Sequence, residues 1–271
     1  MPTLYLVATP IGNLEDISLR ALRVLNQVML IAAEDTRKTR RLLVAHGIKT
    51  PLTSYHEHSK ERKLGYLLGR LREGDVALVS EAGTPGISDP GYELVVAAIG
   101  QGFPVVPIPG PSVVVTALTV SGLPTNQFLY LGFLPRRKAE RRRFLESIAT
   151  QPRTILCLEA PHRLLAALAD VVEVLGDRRV AVCRELTKAH EEVFRGRVSA
   201  ALEHFREPRG EFALIIEGRG KEDRRGLGED LEQELQRLRN QGIAAKEAVA
   251  EVAKARGLPK REVYQAWLRL G

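Results

Sequence analysis

Three loops rich in Gly, Pro, Ser and Thr contain the residues whose types and spacing are best suited to chemistry. They span residues 8–13, 83–88 and 109–112, and each follows a short apolar run. Glycine lets backbone N–H and C=O groups approach a ligand closely, proline fixes the shape of a loop, and hydroxyl groups add hydrogen bonds. Because the three loops contain no Lys or Arg, they do not favour a polyphosphate. They indicate a site for a neutral or zwitterionic, nucleoside-like ligand.

Charge is unevenly distributed along the chain. Its 271 residues include 40 Lys and Arg against 33 Asp and Glu, a net charge of +7. Residues 136–143 hold six basic side chains and one acidic side chain, and residues 219–271 hold twelve and nine. This concentration of positive charge favours a polyanionic partner, although a solvated helix face without a partner would give the same pattern.

The elements that must position the loops follow an alternating order. Three strand-like runs are each followed by one of these loops and then by apolar residues at helical spacing. The strands span 3–9, 76–80 and 105–108, and the helices span 19–29, 92–99 and 113–119. This order predicts a mostly parallel α/β sheet. Ligands of such sheets gather at the carboxyl ends of the strands, so we expect the three loops to lie together.

The second half of the chain predicts a different sheet. Strand-like runs there follow one another with few helices between them, which favours a mixed sheet; the strands span 128–133, 154–158, 180–184, 193–198 and 211–217, and the helices 137–149, 162–175 and 199–206. Residues 217–226 have the composition of a linker. Helical stripes beyond it are spaced as in a helix-turn-helix. We therefore expect α/β domains over 1–122 and 123–218 and a helical domain over 228–271.

Several classes of protein are disfavoured by what the sequence lacks. It has no phosphate-binding loop of an NTPase, no dinucleotide-binding glycine motif, no zincin motif and no nucleophile elbow of an α/β-hydrolase.

Two cysteines, Cys157 and Cys183, lie in apolar runs and are expected to be buried thiols. The first residues do not resemble a signal peptide, and no apolar run is long enough to span a membrane. We expect a soluble, cytoplasmic protein without a metal site.

Seven motifs together resemble the tetrapyrrole-methylase (class III) superfamily of S-adenosylmethionine-dependent enzymes, and within it the members that methylate small-subunit ribosomal RNA. The motifs are VATPIGNL at 7–14, EDTR at 34–37, YHEH at 55–58, VSEAGTPGISDPG at 79–91, PGPS at 109–112, EAPHR at 159–163 and RELTK at 184–188. The resemblance covers residues 3–217, and the helical tail resembles the accessory domain of the same members. Glu81 stands where Asp is expected, so the acidic character is kept.

The resemblance implies two α/β domains with an S-adenosylmethionine cleft between them and a small C-terminal helical domain. It implies 2′-O-methylation of a cytidine ribose in the decoding region of 16S rRNA, with naked rRNA or the 30S subunit as partner and a homodimer as the active form. The cofactor contacts that it implies are Pro10, Gly12, Gly83, Thr84, Ile87, Ser112, Val113, Leu131 and Ala213.

Phosphate contacts are expected from the basic segment, because it follows a strand whose end should lie near the cleft. The predicted RNA-binding residues are Arg136, Arg137, Lys138, Arg141, Arg142 and Arg143, with Arg163 and Arg184 as further phosphate ligands.

A group that accepts the proton of the 2′-hydroxyl would accelerate this transfer. We place first the cluster Glu34, Asp35 and Arg37, and then His56 and His162. The cluster could equally be an internal ion pair. Further candidates are His58, Glu159, Glu185 and Lys188.

Two other functional interpretations of the sequence remain open. One is a class III enzyme that methylates carbon on a tetrapyrrole of cobalamin or sirohaem synthesis, since that substrate is also polyanionic. The other is a non-catalytic nucleic-acid-binding protein that uses the helix-turn-helix of the tail. The concentrated basic segment and the appended tail favour a macromolecular substrate over the tetrapyrrole.

Overall fold

The computed structural model describes residues 1–56, 60–256 and 260–270. The chain divides into two compact units. One contains residues 1–149 and 154–217, and the other contains residues 150–153 and 218–271. The first unit holds two five-stranded sheets, which define a first lobe (residues 1–122) and a second lobe (residues 123–149 and 154–217).

The first lobe is a parallel sheet covered by helices on both faces. Its strands lie in the order β3-β2-β4-β1-β5, and each neighbouring pair is parallel. The elements are β1 (Leu4–Val7), α1 (Leu19–Gln27), β2 (Leu30–Ala33), α2 (Thr36–Ala45), β3 (Leu52–Ser54), α3 (Lys60–Glu73), β4 (Val76–Val79), α4 (Tyr92–Gly100), β5 (Val105–Ile108) and α5 (Val113–Val120).

Apolar strands and local caps explain this lobe. Strands β2 and β4 are buried along their whole length, as expected for parallel strands covered on both faces. One face packs against α1 and α2, and the other against α3 and α4. Ser18 and Asp35 begin α1 and α2 by accepting hydrogen bonds from backbone N–H groups of the first turn.

The second lobe is a mixed sheet, as predicted. Its order is β6-β7-β10-β8-β9, with β6 parallel to β7 and the other neighbours antiparallel. The elements are β6 (Phe128–Phe133), α6 (Lys138–Ser147), β7 (Thr154–Glu159), α7 (Leu164–Leu175), β8 (Arg179–Arg184), β9 (Glu192–Arg197), α8 (Val198–His204) and β10 (Phe212–Ile216).

Helix α5 packs the first lobe onto the second sheet. Its buried residues Val114, Ala117 and Leu118 lie in one apolar cluster with side chains of β7, β8 and β10. The guanidinium of Arg195 on β9 donates to the carbonyl of Val120 at the end of α5. The opposite face of the second sheet packs against α6, α7 and α8. The two lobes therefore share a core.

The second unit is a bundle of three helices, α9 (Lys221–Asn240), α10 (Ala245–Arg256) and α11 (Lys260–Arg269). Leu235, Val252 and Val263, one from each helix, are fully buried in its core. Trp267 packs beside this core, with the Arg239 guanidinium 5.8 Å from the centre of its ring. Residues 257–259 of the predicted helix-turn-helix turn lie outside the described residues.

One sequence prediction about elements is wrong. The linker predicted over 217–226 is too long, because α9 begins at Lys221; charged residues favour a helix more than the neighbouring glycine opposes it. No element was predicted over 30–73, where the described residues form two strands and two helices. Both cysteines are buried thiols, as expected. Among the described helices, none is long and apolar enough to cross a membrane.

Candidate active site

A cavity of about 470 Å³ lies between the two lobes. On the first lobe it is lined by residues that follow β1, β2, β4 and β5, so the three loops of the sequence analysis meet at one edge of the parallel sheet. The lining residues are Ile11, Glu34, residues 81–84, residues 87–89 and residues 112–114 from the first lobe, and Tyr130, Phe133, residues 158–161, Cys183, Leu186 and residues 211–213 from the second.

Backbone contacts hold the three loops together. Thr9 and Gly83 exchange two backbone hydrogen bonds, at 2.9 and 3.0 Å, so the first loop is bridged to the second. The hydroxyl of Thr84 donates to the carbonyl of Pro111 in the third loop at 3.4 Å. Gly83 has a φ of +80°, a conformation that favours glycine. The first lobe therefore offers a preformed backbone edge to a ligand.

Three carboxyl groups of the first lobe lie together at the cavity. Glu34 Oε2 accepts a hydrogen bond from the backbone N–H of Glu81 at 3.0 Å, and the Glu81 carboxylate is paired with Lys38 of α2. Asp89 has no ion-pair partner among the described residues. Burial and the nearby charge of Glu34 raise the pKa of Asp89 from 3.8 to about 7. Asp89 can therefore change protonation near neutral pH.

Glu159 contributes a fourth, more deeply buried carboxyl group from the end of β7. Its Oε1 accepts a hydrogen bond from the backbone N–H of Ala160 at 2.9 Å and lies 3.1 Å from Nε of Arg163. Burial raises the pKa of Glu159, and these contacts offset part of that shift. Oε2 of Glu159 is buried and has no hydrogen-bond partner among the described residues. It is an acceptor available to a ligand in the cavity.

One hydrogen bond joins the two lobes beside the cavity. The hydroxyl groups of Ser88 and Tyr130 lie 2.7 Å apart. Ser88 has a φ of +63°, which is uncommon for a residue other than glycine. Because Ser88 immediately precedes Asp89, this contact also fixes the backbone that carries the titrating carboxyl group.

The second lobe supplies an apolar floor. Leu158 of β7, Ala213 of β10 and Cys183 of β8 lie opposite one another in the strand register and face the cavity. The next residues along the same face, Leu156 and Ile215, are covered by α5. Burial raises the pKa of the Cys183 thiol to about 12, so it stays protonated. The floor is the end of this sheet face that borders the cavity, and Cys183 also contacts α5, since its Sγ lies 4.0 Å from the carbonyl oxygen of Ala117.

Six of the nine predicted cofactor residues line the cavity: Gly83, Thr84, Ile87, Ser112, Val113 and Ala213. Pro10, Gly12 and Leu131 do not, although their neighbours Ile11 and Tyr130 do. Gly12 packs closely against the second lobe. A Cβ atom added to Gly12, as in a Gly12→Ala variant, would lie only 2.5 Å from Cγ of Lys188. The side chain of Leu131 packs into the core on the far face of the sheet. These three positions are structural neighbours of the site.

Of the five predicted catalytic residues, Glu34 lines the cavity. The carboxylate of Asp35 accepts hydrogen bonds from the N–H groups of Lys38 and Arg37, which hold the pKa of Asp35 below its usual range. Arg37 lies 3.7 Å from Asp35, and its side chain is 90% exposed. His56 and His162 are not among the lining residues. His58 lies outside the described residues.

The predicted RNA-binding residues do not form one surface. Arg136, Arg137, Lys138 and Arg143 are exposed. The predicted RNA contact of Arg141 is wrong. Its side chain is 5% exposed, and its guanidinium is paired with Asp170 at 2.5 Å and donates to backbone carbonyls. Arg142 is held by Asp170 and Glu173. Arg163 and Arg184 are paired with Glu159 and Glu192 and donate to backbone carbonyls of the second lobe.

Three residues of the site were missed in the sequence. Asp89 and Ser88 lie inside the motif at residues 79–91, where the glycines and prolines drew attention to the backbone. Their position beside three loop glycines was a usable signal for a polar group at a ligand. Tyr130 gave no such signal, because it lies in a strand of apolar residues.

Comparison with protein families and curated relatives identifies similar chains. The family of tetrapyrrole (corrin/porphyrin) methylases matches residues 3–202, and the RsmI C-terminal HTH domain matches residues 226–271. A protein of Halalkalibacterium halodurans named ribosomal RNA small subunit methyltransferase I is 50% identical over 98% of this chain and 94% of its own. A protein of the same name from Synechocystis is 47% identical over 100% and 99%.

Solved structures share the fold over about four fifths of the chain at low sequence identity. A cobalt precorrin-4 methyltransferase of cobalamin biosynthesis superposes with a TM-score of 0.60 at 19% identity, over 79% of this chain and 94% of its own. A uroporphyrin-III C-methyltransferase from Thermus thermophilus, in complex with S-adenosylhomocysteine, superposes with a TM-score of 0.59 at 20% identity, over 79% and 97%. At these identities the likeness concerns the fold alone.

Proposed function

Because the chain belongs to the ribosomal RNA small subunit methyltransferase I family of tetrapyrrole methylases, we propose that it methylates the 2′-hydroxyl of a cytidine ribose in the decoding region of 16S rRNA, with S-adenosylmethionine as methyl donor. The relatives carry the choice of RNA as substrate, and the observation that carries the choice of methyl donor is the composition of the cavity. Its described lining contains five acidic residues and an apolar floor, but no Lys or Arg. Such a lining disfavours a polyphosphate and suits a cationic ligand with an apolar body.

The residues present fit S-adenosylmethionine. Its positively charged sulfonium and amino groups match the carboxylates of Glu34 and Glu81 at the cavity. The unpartnered Oε2 of Glu159 offers an acceptor for a polar hydrogen of the ligand. The cavity volume of about 470 Å³ is in the usual range of small-molecule sites.

We assign the holding of this cofactor to the six predicted residues that line the cavity. The loop residues Gly83, Thr84 and Ser112 present backbone and hydroxyl groups, and Ile87, Val113 and Ala213 present apolar surface. When bound, S-adenosylmethionine supplies a methyl group that is already activated for transfer. The main task of the protein is therefore to orient the ribose hydroxyl and to exclude water, and the contact between Ser88 and Tyr130 keeps the two lobes in one arrangement for this purpose.

Asp89 is the proposed acceptor of the proton that leaves the 2′-hydroxyl, in place of Asp35. Its pKa of about 7 is close to the pH at which a general base is most effective. Glu81 is paired with Lys38, and Glu34 accepts a hydrogen bond from the backbone N–H of Glu81, whereas Asp89 has no ion-pair partner among the described residues. Glu34 supports this role, because its charge keeps the pKa of Asp89 high.

The family resemblance adds two further expectations. We infer a homodimer as the active form, and an enzyme that works in the cytoplasm, where it meets the small subunit. Light scattering of the purified full-length chain tests the first: a mass near twice 30.0 kDa supports it, and a mass near 30.0 kDa contradicts it.

The experiment that tests the proposed function is methyl transfer to RNA. The purified protein, S-adenosylmethionine with a labelled methyl group, and either naked 16S rRNA or 30S subunits lacking the modification are incubated, and the digested RNA is analysed by mass spectrometry. We expect label in 2′-O-methylcytidine. Uroporphyrinogen is the comparison substrate; label there and none in rRNA would overturn the assignment. Calorimetry that detects no binding of S-adenosylmethionine would overturn the assignment to an enzyme.

A further inference from the structure

A second basic surface lies on the first lobe, on helix α2. Arg37, Arg40, Arg41 and Val44 are spaced at i, i+3, i+4 and i+7, so they share one face of the helix. All four are exposed, and together with Thr36 they line a shallow surface groove. We call Arg37, Arg40 and Arg41 the α2 face.

The charge of the α2 face is largely free of internal partners. Arg40 and Arg41 have no ion-pair partner among the described residues, and Arg37 has a single carboxylate at 3.7 Å while its side chain is 90% exposed. The basic segment at 136–143 differs, because Arg141 and Arg142 are engaged by Asp170. Sequence counting ranks the segment at 136–143 above α2, but half of its six basic side chains are paired with carboxylates, so the two surfaces offer a comparable number of cations without a strong partner.

The α2 face lies next to the cavity along the chain. Glu34, which lines the cavity, precedes the helix by two residues. Lys38 of the first turn fixes the helix to Glu81, another lining residue. On the second lobe, Phe133 lines the cavity and precedes the exposed Arg136, Arg137 and Lys138. A basic surface therefore follows a lining residue on each lobe.

We propose that the α2 face binds phosphate groups of the RNA strand on the first-lobe side of the methylated nucleotide. This inference rests on the proposed function. A ribose inserted in the acidic cavity has flanking phosphates that must stay outside it, since the carboxyl groups repel them. Guanidinium groups one helical turn apart offer forked donors to successive phosphate oxygens, and such contacts fix the register of a strand without reading its bases.

The test compares two double variants that remove the same charge from the first lobe. Arg40→Ala/Arg41→Ala removes two guanidinium groups of the α2 face. Lys49→Ala/Arg72→Ala is the matched control, because both residues are exposed and precede β3 and β4, at the amino ends of the strands and away from the cavity. Binding of the full-length protein to 30S subunits and to naked 16S rRNA is measured between 50 and 200 mM salt.

We expect the α2 variant to bind RNA about tenfold more weakly at the lower salt, with the logarithmic salt slope reduced by about 1.4, which is about 0.7 for each lost phosphate contact to a single strand. The control is expected to keep the slope of the unaltered protein. In single-turnover methylation, the α2 variant should need more RNA to reach half its maximal rate and should keep that maximal rate. Affinity for S-adenosylmethionine should not change.

Equal slopes for the two variants would overturn the inference about the α2 face. That outcome leaves the proposed function standing if the unaltered protein methylates rRNA. An unaltered protein that binds RNA through the α2 face but transfers no methyl group would contradict the proposed function instead. Loss of S-adenosylmethionine binding in the α2 variant would also overturn the inference, because it would indicate damage to the cavity and not to a surface.

Discussion

The two lobes of the first unit contribute to the cavity in different ways. The first lobe contributes loops beyond the ends of its strands, with Glu34, Glu81 and Asp89. The second contributes strand side chains, Leu158, Cys183 and Ala213, together with residues just outside its strands, such as Leu186 and Glu211. Topology explains the difference. Parallel strands bring all their carboxyl ends to one edge, whereas in the second sheet β10 begins at the edge where β7 and β8 end, so side chains of all three strands meet there.

The lobes also use charge differently. On the first lobe, acidic groups line the cavity and the basic residues of α2 are exposed. On the second lobe, Glu159 and Glu211 also line the cavity and residues 136–138 and Arg143 are exposed, but Arg141, Arg142 and Arg163 are engaged by Asp170, Glu159 and nearby backbone carbonyls. We infer that the first lobe supplies the groups that take part in methyl transfer and that the second lobe determines the shape of the cavity. Four measurements test this division.

The largest effect is expected from breaking the buried ion pair of the second lobe. Arg141→Met leaves the buried carboxylate of Asp170 with Arg142 as its remaining partner, and should lower the free energy of unfolding by about 3–5 kcal/mol. Urea unfolding measures it. Arg143→Met, two residues along and exposed, is the control and should change stability by less than about 0.5 kcal/mol. Similar losses for both variants would contradict a structural role for Arg141.

The next effect concerns the chemistry of the first lobe. Asp89→Asn removes the proposed proton acceptor with little change of volume, and should reduce the single-turnover methylation rate by about 100-fold. Calorimetry should give an affinity for S-adenosylmethionine close to that of the unaltered protein. Asp75→Asn is the control, because this carboxylate accepts a hydrogen bond from the N–H of Thr3 at the amino end of β4. An unchanged rate for Asp89→Asn would remove the assignment.

A substitution in the apolar floor of the second lobe should change the affinity for S-adenosylmethionine. Ala213→Leu adds a branched side chain at the centre of the apolar row and should weaken binding of S-adenosylmethionine about tenfold or more, since the added atoms take ligand volume. Ile215→Leu, on the same strand face but beneath α5, should leave affinity unchanged. Calorimetric titration compares the two. Equal affinities would show that the ligand does not touch this floor.

The smallest effect is a dependence of stability on pH. The pKa of Asp89 is raised from 3.8 to about 7 on folding, so the folded protein binds more protons than the unfolded chain between these values. The stabilisation is complete below about pH 4 and is lost as pH rises through 7. With the partial exposure of Asp89 taken into account, the loss is about 1–2 kcal/mol.

Thermal unfolding of the unaltered protein and of Asp89→Asn at pH 5 and pH 8 measures this dependence. The variant lacks the titrating group, so its stability relative to the unaltered protein should be greater at pH 8 than at pH 5. A constant difference would show that Asp89 titrates near its ordinary pKa in the folded protein, which would weaken its assignment as the proton acceptor.

The order of strands, loops and helices was predictable from the sequence over most of the chain. Apolar runs that end in Gly and Pro identify β1, β4 and β5 and the three loops that meet at the cavity, because local composition fixes where a strand must stop. The mixed sheet of the second lobe was predictable from the lack of helices between its strands. The short strand β2 was not, since four apolar residues show neither alternation nor helical period.

The roles of individual charged residues were decided by tertiary structure. Asp89 titrates near neutral pH because folding buries it close to Glu34, which is distant in the sequence. Arg141 lies in the most basic segment of the chain, yet Asp170 of α7 engages it in the core. Gly12 belongs to a cofactor-like loop, yet it packs against the turn at residues 186–188 of the other lobe. Sequence alone determined which loops could do chemistry, but the solvent exposure and charged neighbours of individual residues such as Asp89 depend on long-range contacts that no local pattern encodes.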